Sequence, residues 1–347
     1  MRLLIADDEE NLAHALKAVL EDAGYNCDVC FDGKSAIRLI SQEIYDGLIL
    51  DIMMPEKNGY EVLSLIRKKK IKRIWLPRLL CSAISDTCKE ENVEIFYYSI
   101  DWQLRPLLLQ LLENDWLYLI NYYGQYSVEE IESFSRKYKN VIIDNAQAFY
   151  TKAVEGLDTI YTCRKFFGVP DGGYLYTTFG QEKELPQDES YERIGFLAGR
   201  FERSAQDFYG AYRENEERID TLPLRSMSKV THNLLRGVDY EKEAKIREEN
   251  FKYLHQCLKD KNLLNVRLPE GPYMYPLLIE NGVMLRNSLQ KEQIYIPLLW
   301  PNVKRDMSPI DIEYRLADNI LPLPCDQRYV TDDMDYIVKQ IIRLENL

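Results

Sequence analysis

The chain has 347 residues, 46% of them hydrophobic and 29% charged, a balance that excludes a fibrous or disordered protein and fits about two folded domains or slightly more. Lys and Arg number 44 against 56 Asp and Glu, a net charge of −12, which argues against broad contact with nucleic acid or an anionic membrane surface. No apolar run reaches the roughly 18 residues a membrane-spanning helix needs, and the first residues meet acid at Asp7 without a signal peptide's apolar stretch, so the expected location is the cytoplasm.

Leu3-Leu4-Ile5-Ala6 reads as a strand ending in Asp7-Asp8-Glu9-Glu10. Leu12, Leu16, Val19 and Leu20 follow at helical spacing, with Gly24 at the C-terminal cap. The second strand carries Cys27-Asp28-Val29-Cys30; pleating turns Cys27 and Val29 away from Cys30, so this spacing reads as structural rather than redox-active. Seven cysteines at irregular spacing predict reduced thiols. The three histidines, His14, His232 and His255, are too scattered for a histidine-rich metal site.

Gly47-Leu48-Ile49-Leu50-Asp51 is an apolar strand delivering one carboxylate, followed by Met53-Met54-Pro55, a turn at Asn58-Gly59 and a helix around 61–69. The basic run from Arg67 to Arg73 reads as a cationic helix end. Strand–helix alternation implies a parallel sheet with its site at the carboxyl ends of the strands. Asp7, Asp8 and Asp51 all fall at such ends. Three carboxylates there form a hard-oxygen site of the kind magnesium prefers, beside which Asp51 can act as nucleophile toward a phosphoryl group.

This stretch, with Asp51-Ile52-Met53-Met54-Pro55-Glu56-Lys57-Asn58-Gly59-Tyr60 intact, resembles the receiver domain of two-component response regulators. The resemblance implies Asp51 as phosphoacceptor, magnesium held by Asp7, Asp8, Asp51 and the Met53 carbonyl, and a sensor histidine kinase as partner. It covers about residues 1–70. Leu79-Leu80-Cys81-Ser82-Ala83 is similar to the following receiver strand with its hydroxyl, but no lysine stands near Tyr97-Tyr98-Ser99-Ile100-Asp101. The receiver reads as truncated.

Beyond residue 71, strands are expected at 93–100, 116–121 and 141–144, with a helix at 127–137. Val141-Ile142-Ile143-Asp144 delivers a carboxylate and leads into Asn145-Ala146-Gln147-Ala148. A further strand at 159–163 runs into Arg164-Lys165-Phe166-Phe167-Gly168, then the turn Asp171-Gly172-Gly173 and a return strand at 174–178. A lysine between an apolar strand and two phenylalanines is expected to be partly desolvated, which favours the neutral amine needed to attack a carbonyl. An acid at a neighbouring strand end suits a pyridinium nitrogen. The bland alternatives are a snorkelling surface lysine and a helix-capping acid.

Asn121-Tyr122-Tyr123-Gly124-Gln125, Ile143-Asp144-Asn145-Ala146-Gln147-Ala148, Lys165 and Asp171-Gly172-Gly173 occur in that order. Together with Ile294-Tyr295-Ile296-Pro297, Leu321-Pro322-Leu323-Pro324-Cys325 and a last helix at 330–342, they look like the DegT/DnrJ class of pyridoxal-phosphate aminotransferases. The resemblance implies Lys165 as the cofactor-linked amine, Asp144 at the pyridine nitrogen, Gln147 near the ring and Thr162 at the phosphate. It also implies a homodimer that moves an amino group from a donor such as glutamate to a keto-sugar or related carbonyl.

Two departures stand out. The family's Ser/Gly-Thr turn, whose following helix cradles the cofactor phosphate, does not precede Ile74; and Leu224-Arg225-Ser226-Met227-Ser228 keeps the methionine but not the asparagine of the stretch that reaches a neighbouring subunit. Phe196, Phe201, Phe208 and Tyr212, at loose helical spacing, read as core or dimer interface. The expected fold is α/β in three parts: a receiver-like, flavodoxin-like half-domain (1–70), a large domain resembling the fold-type-I pyridoxal-phosphate transferases (71–235) and a small α+β domain (236–347). The rival reading is a response regulator whose aminotransferase-like part is a non-catalytic output or dimerisation module.

Overall fold

The computed structural model describes residues 2–6, 17–18, 20–21, 23–30, 45, 47–50, 67, 69–107, 109–177, 185–204, 206–221 and 223–345. They group into two compact units, Met1–Gly59 with Gly195–Arg225, and Tyr60–Ile194 with Ser226–Leu347.

In the first unit, β1 (Arg2–Ala6), β2 (Asn26–Cys30) and β3 (Gly47–Leu50) form a parallel sheet in the order β2-β1-β3. Leu3 pairs with Cys27 on one side and with Gly47 on the other. This is the beginning of the doubly wound order in which a crossover to the far side of the first strand follows the second. Leu3 and Cys27 are buried with Leu20, Tyr25 and Val29 packed against them, so the Cys27 thiol is a core group, as its strand position implied. Arg2 pairs with Asp28 across the sheet at 2.8 Å.

The second unit is built on a six-stranded sheet. Its strands are β4 (Arg73–Pro77), β5 (Glu94–Tyr98), β6 (Trp116–Ile120), β7 (Val141–Asp144), β8 (Asp158–Thr162) and β9 (Gly173–Tyr176). The order is β5-β4-β6-β7-β8-β9, parallel except for β9. β6 and β7 are buried along nearly their whole length, the pattern of parallel strands covered on both faces. Helix α1 (Ser82–Glu90) links β4 to β5. Helix α2 (Val128–Lys137) starts from a capping box in which Ser127 and Glu130 satisfy each other's backbone N–H groups.

The basic run is absorbed by this unit. Lys69 Nζ lies 2.8 Å from Asp158 Oδ2, both side chains nearly buried, and 5.5 Å from the centre of the Trp116 ring. Arg67 reaches Glu91 and Arg73 reaches Asp115. These cations are structural ties, in keeping with the bland reading of the run.

Helices α3 (Gly195–Glu202) and α4 (Tyr209–Thr221) belong to the first unit. Of their aromatic residues, Phe196 is buried against Tyr212 whereas Phe201 is 94% exposed, so the expected stripe is core at one end only. Back in the second unit, α5 (Lys229–Arg236) and the long α6 (Tyr240–Leu258) lead to a two-stranded antiparallel sheet, β10 (Met274–Leu278) with β11 (Ile320–Pro324). Around it are α7 (Gly282–Lys291), α8 (Pro301–Asp306), α9 (Ile312–Asn319) and α10 (Thr331–Glu345). Tyr253 of α6 donates to Asp335 of α10 at 2.8 Å. Among the described residues no helix is long and apolar enough to cross a membrane.

Candidate functional site

Asp7, Asp8, Asp51 and Met53, the expected phosphoacceptor and magnesium set, lie outside the described residues. Among the described residues no cluster of three His, Cys, Asp or Glu groups suits a metal ion.

The expected cofactor residues all lie in the second unit, at the carboxyl edge of its sheet. Asp144 is the last residue of β7 and pairs in register with Ile160 of β8. Because alternate residues share a face, Thr162, two positions beyond Ile160, lies on the same face as Asp144. Asp144 is 8% exposed. Its Oδ2 accepts from the Tyr118 hydroxyl at 2.9 Å and its Oδ1 from the Ala146 N–H at 2.8 Å. Each oxygen keeps a further lone pair.

The loop after β6 closes one side of this edge. Asn121 N–H donates to the Asp144 carbonyl, its Nδ2 to Asn145 Oδ1, and its own Oδ1 accepts from Tyr126 N–H. Gln147 Oε1 accepts from the Tyr123 N–H at 3.0 Å. Tyr123 is fully buried and left-handed, with φ of 53°, a backbone state that costs energy in a non-glycine residue and persists only where surrounding contacts impose it. Burial pushes the Tyr122 and Tyr123 phenols well above their ordinary pKa, so both stay neutral. Tyr122 donates to the Leu79 carbonyl.

Lys165 follows β8 in a tight turn. The Phe166 and Phe167 N–H groups both donate to the Cys163 carbonyl, at 3.0 and 2.9 Å. Phe166 and Phe167 point inward into an aromatic cluster with Phe149 and Tyr150, while Lys165 itself is exposed. The two phenylalanines therefore anchor the turn without desolvating the amine, which corrects the expectation drawn from their proximity in sequence.

Beyond it, the Asp171-Gly172-Gly173 turn reverses the chain into β9, with Cys163 N–H donating to the Gly172 carbonyl at 3.0 Å. Gly172 has φ of +102°, and a Cβ there would meet Met227 and Thr231 at 3.0 Å. The buried Asp171 carboxylate accepts from Ser228 N–H at 3.0 Å, Ser228 Oγ at 2.8 Å and Thr231 Oγ1 at 2.8 Å. The stretch around Met227 is thereby tied to the lysine-bearing turn.

The structure thus brings Asp144, Gln147 and Thr162 to one sheet edge and sets Lys165 on the turn that leaves it. Sequence reading missed Tyr118, which holds Asp144, and Ser228 and Thr231, which hold Asp171. Strand parity puts Tyr118 on a face, but only the β6–β7 register puts that face beside Asp144. The donor set fits a pyridoxal ring: a buried carboxylate with spare lone pairs for a pyridinium nitrogen, and an accessible amine for the aldehyde. A cavity of about 300 Å³ lies elsewhere in the second unit, lined by Trp102, Leu263, Leu278 and Arg315 among others.

Comparison with known proteins finds a receiver-domain match and aminotransferase folds. The response regulator receiver domain model matches residues 3–95, past residue 70 and through β4 and α1. The chain is 37% identical over 92 residues to the transcriptional regulatory protein DltR of Streptococcus agalactiae, covering 26% of this chain and 40% of that one. It is 31% identical over 154 residues to the response regulator RR06 of Streptococcus pneumoniae, covering 42% and 68%. It spans well under half the length of the DltR relatives. Among solved structures, a DegT/DnrJ/EryC1/StrS aminotransferase from Brucella abortus superposes with a TM-score of 0.53 at 16% identity, over 83% of this chain and 84% of that one. A putative sugar aminotransferase from Streptococcus pneumoniae gives 0.57 at 11% identity, over 83% and 85%. At such identities the likeness concerns the fold, which is that of the pyridoxal-phosphate aminotransferases over most of the chain.

Proposed function

We propose that this chain, which belongs to the response regulator family through its receiver domain, is an aminotransferase of the sugar-nucleotide type acting through Lys165. The observation that carries this reading is the buried Asp144 carboxylate at the end of β7, held by Tyr118 and Ala146, at the same sheet edge that the lysine turn leaves. Pyridoxal phosphate, when bound, supplies an electron sink for the carbon beside the transferred nitrogen.

The chain's own residues do the rest. Asp144, held by the Tyr118 hydroxyl and the Ala146 N–H, would pair with the ring nitrogen. Gln147, fixed by Tyr123 N–H, borders the ring, and Thr162 offers a hydroxyl to the phosphate. Lys165 Nζ, clear of the aromatic cluster beneath it, would hold the cofactor and take up and return a proton at its amine. Glutamate as amino donor and a keto-sugar or related carbonyl as acceptor follow from the aminotransferase likeness, as does a homodimer. The receiver match supports phosphate at Asp51, magnesium at Asp7, Asp8, Asp51 and the Met53 carbonyl, and a sensor histidine kinase as phosphate source. No nucleic-acid or membrane partner is proposed, and the proposed compartment is the cytoplasm.

One observation favours a second reading, a response regulator whose aminotransferase-like part is non-catalytic: Lys165 is exposed, outside the aromatic cluster that Phe166 and Phe167 enter. The two readings separate on one experiment. Pyridoxal phosphate is added to the full chain, the mixture is reduced with borohydride, and the labelled peptide is mapped. Label on Lys165, lost in Lys165→Ala with folding intact, supports the enzyme; label elsewhere or nowhere supports the module.

A further inference from the structure

We propose that Arg247 and Gln327 are positioning residues for Lys165, acting through the carbonyl of the residue that follows it, Phe166. The proposal rests on the reading of Lys165 as the cofactor-linked amine.

An exposed lysine on a turn has no contact of its own to set where its side chain starts; the backbone must set it. At Phe166 that backbone is held from both sides. Its N–H donates to the Cys163 carbonyl at 3.0 Å. Its carbonyl accepts from Arg247 Nη2 at 2.8 Å and from Gln327 Nε2 at 2.9 Å. The two donors come from α6 and from the loop after β11, far away in sequence. The second lone pair of a carbonyl is often left to water; here both are used by side chains.

Arg247 is an expensive way to make this contact. It is 1% exposed, and burial lowers its pKa against the pull of Asp326 and other neighbouring acids. A guanidinium inside a protein is costly wherever a donor goes unmet, and the buried Arg247 Nε has no hydrogen-bond partner, so the contacts of its two Nη atoms carry the case for it. Its Nη1 donates to the Pro272 carbonyl at 3.0 Å and its carbon stands 4.8 Å from the centre of the Phe166 ring. A leucine would fill much of the same space on α6 at less cost. What the arginine adds is a fork with one prong on the lysine turn and one on the loop that enters β10, with its carbon over the ring of Phe166. Fixing φ and ψ at Phe166 fixes the peptide that joins it to Lys165, and so the direction in which Lys165 leaves the sheet edge. Catalytic geometry tolerates displacements well below 1 Å, so a charged anchor one residue away is worth its burial.

The test uses the full chain and three variants, Arg247→Met, Arg247→Lys and Gln327→Leu. Two quantities are read: the rate at which pyridoxal phosphate with borohydride labels Lys165, and amide hydrogen exchange over residues 163–168. Loss of a hydrogen bond from a charged donor corresponds to about tenfold or more. Arg247→Met should therefore slow labelling about tenfold and speed exchange at the Phe166 and Phe167 amides, with Arg247→Lys partly restoring both and Gln327→Leu shifting both in the same direction by less. Labelling and exchange unchanged in Arg247→Met overturn the proposal, as does faster exchange with an unchanged labelling rate. If Arg247→Met does not fold, Gln327→Leu decides by the same two criteria. If pyridoxal phosphate leaves Lys165 of the native chain unlabelled, the reading of Lys165 as the cofactor-linked amine fails, and the anchoring of the turn by Arg247 and Gln327 then stands or falls on the exchange measurement.

Discussion

Asp171 is 6% exposed, and replacing it by alanine removes a carboxylate that accepts three hydrogen bonds, from Ser228 N–H, Ser228 Oγ and Thr231 Oγ1. Bonds to a charged acceptor contribute roughly 1.5–3 kcal/mol each, so their sum sets a ceiling of about 9 kcal/mol. The hydroxyls recover part of that. Ser228 Oγ retains Ser190 Oγ at 2.6 Å and the Thr231 N–H at 3.1 Å, and Thr231 Oγ1 can turn to a carbonyl in the preceding turn of chain. The Ser228 N–H has no such choice, since Ser228 is 1% exposed, and a buried unmet donor costs about 1–3 kcal/mol. A loss of about 3–4 kcal/mol is expected for Asp171→Ala, and about half of it for Asp171→Asn, which keeps one acceptor oxygen. Because the chain has two compact units, the assay is native-state hydrogen exchange at Ile142 and Ile143 of β7, which reports the opening of the second unit alone. A loss below about 1 kcal/mol for Asp171→Ala, or equal losses for the two variants, would refute the reasoning that three bonds tie the Met227 stretch to the lysine turn.

Lys69→Met should cost about 3–5 kcal/mol, because it strands the Asp158 carboxylate in the interior, where Thr177 Oγ1 donates to it at 2.7 Å; adding Asp158→Asn should restore more than half, as read by urea unfolding followed through tryptophan fluorescence. With Ellman's reagent, Cys81 and Cys257, both exposed, should react first, while Cys88, pushed up to about 12 by burial, and the buried Cys163 and Cys325 stay silent until unfolding; early reaction of Cys88 would contradict the packing of α1. Beryllofluoride with magnesium should leave hydrogen exchange in β4 and at Ser82 unchanged, because β4 is bonded along both edges, to β5 and β6; protection changes there or around Lys165 would reveal a working switch.

Much of this architecture was legible in the sequence. Strand ends marked by a carboxylate placed β7 to the residue, and the Asp-Gly-Gly turn placed the start of β9 within one residue, because turn chemistry is local. The receiver stretch was recognised by its acids and its Pro-Glu-Lys-Asn-Gly run, yet the family match extends to residue 95, where β4 and α1 serve the six-stranded sheet. No local pattern announces which of two sheets a strand joins, since β4 presents the same apolar alternation to either. The desolvation of Lys165 was misjudged for a related reason. Adjacent phenylalanines suggest a dry lysine, but in a tight turn successive side chains diverge, and Phe166 and Phe167 took the inward side. Tyr118, Arg247 and Gln327 were beyond reach, because their partners lie 26, 81 and 161 positions away.

In the proposed function Lys165 and Asp144 together move an amino group. A single-turnover incubation of the pyridoxal-phosphate-treated chain with glutamate, following 2-oxoglutarate release, tests it most directly. Stoichiometric 2-oxoglutarate is expected from the native chain, release slower by about a hundredfold or more from Asp144→Asn, whose neutral amide no longer stabilises a protonated ring nitrogen, and none from Lys165→Ala. No 2-oxoglutarate from the native chain even though the cofactor is bound at Lys165, or equal release from all three, would contradict it.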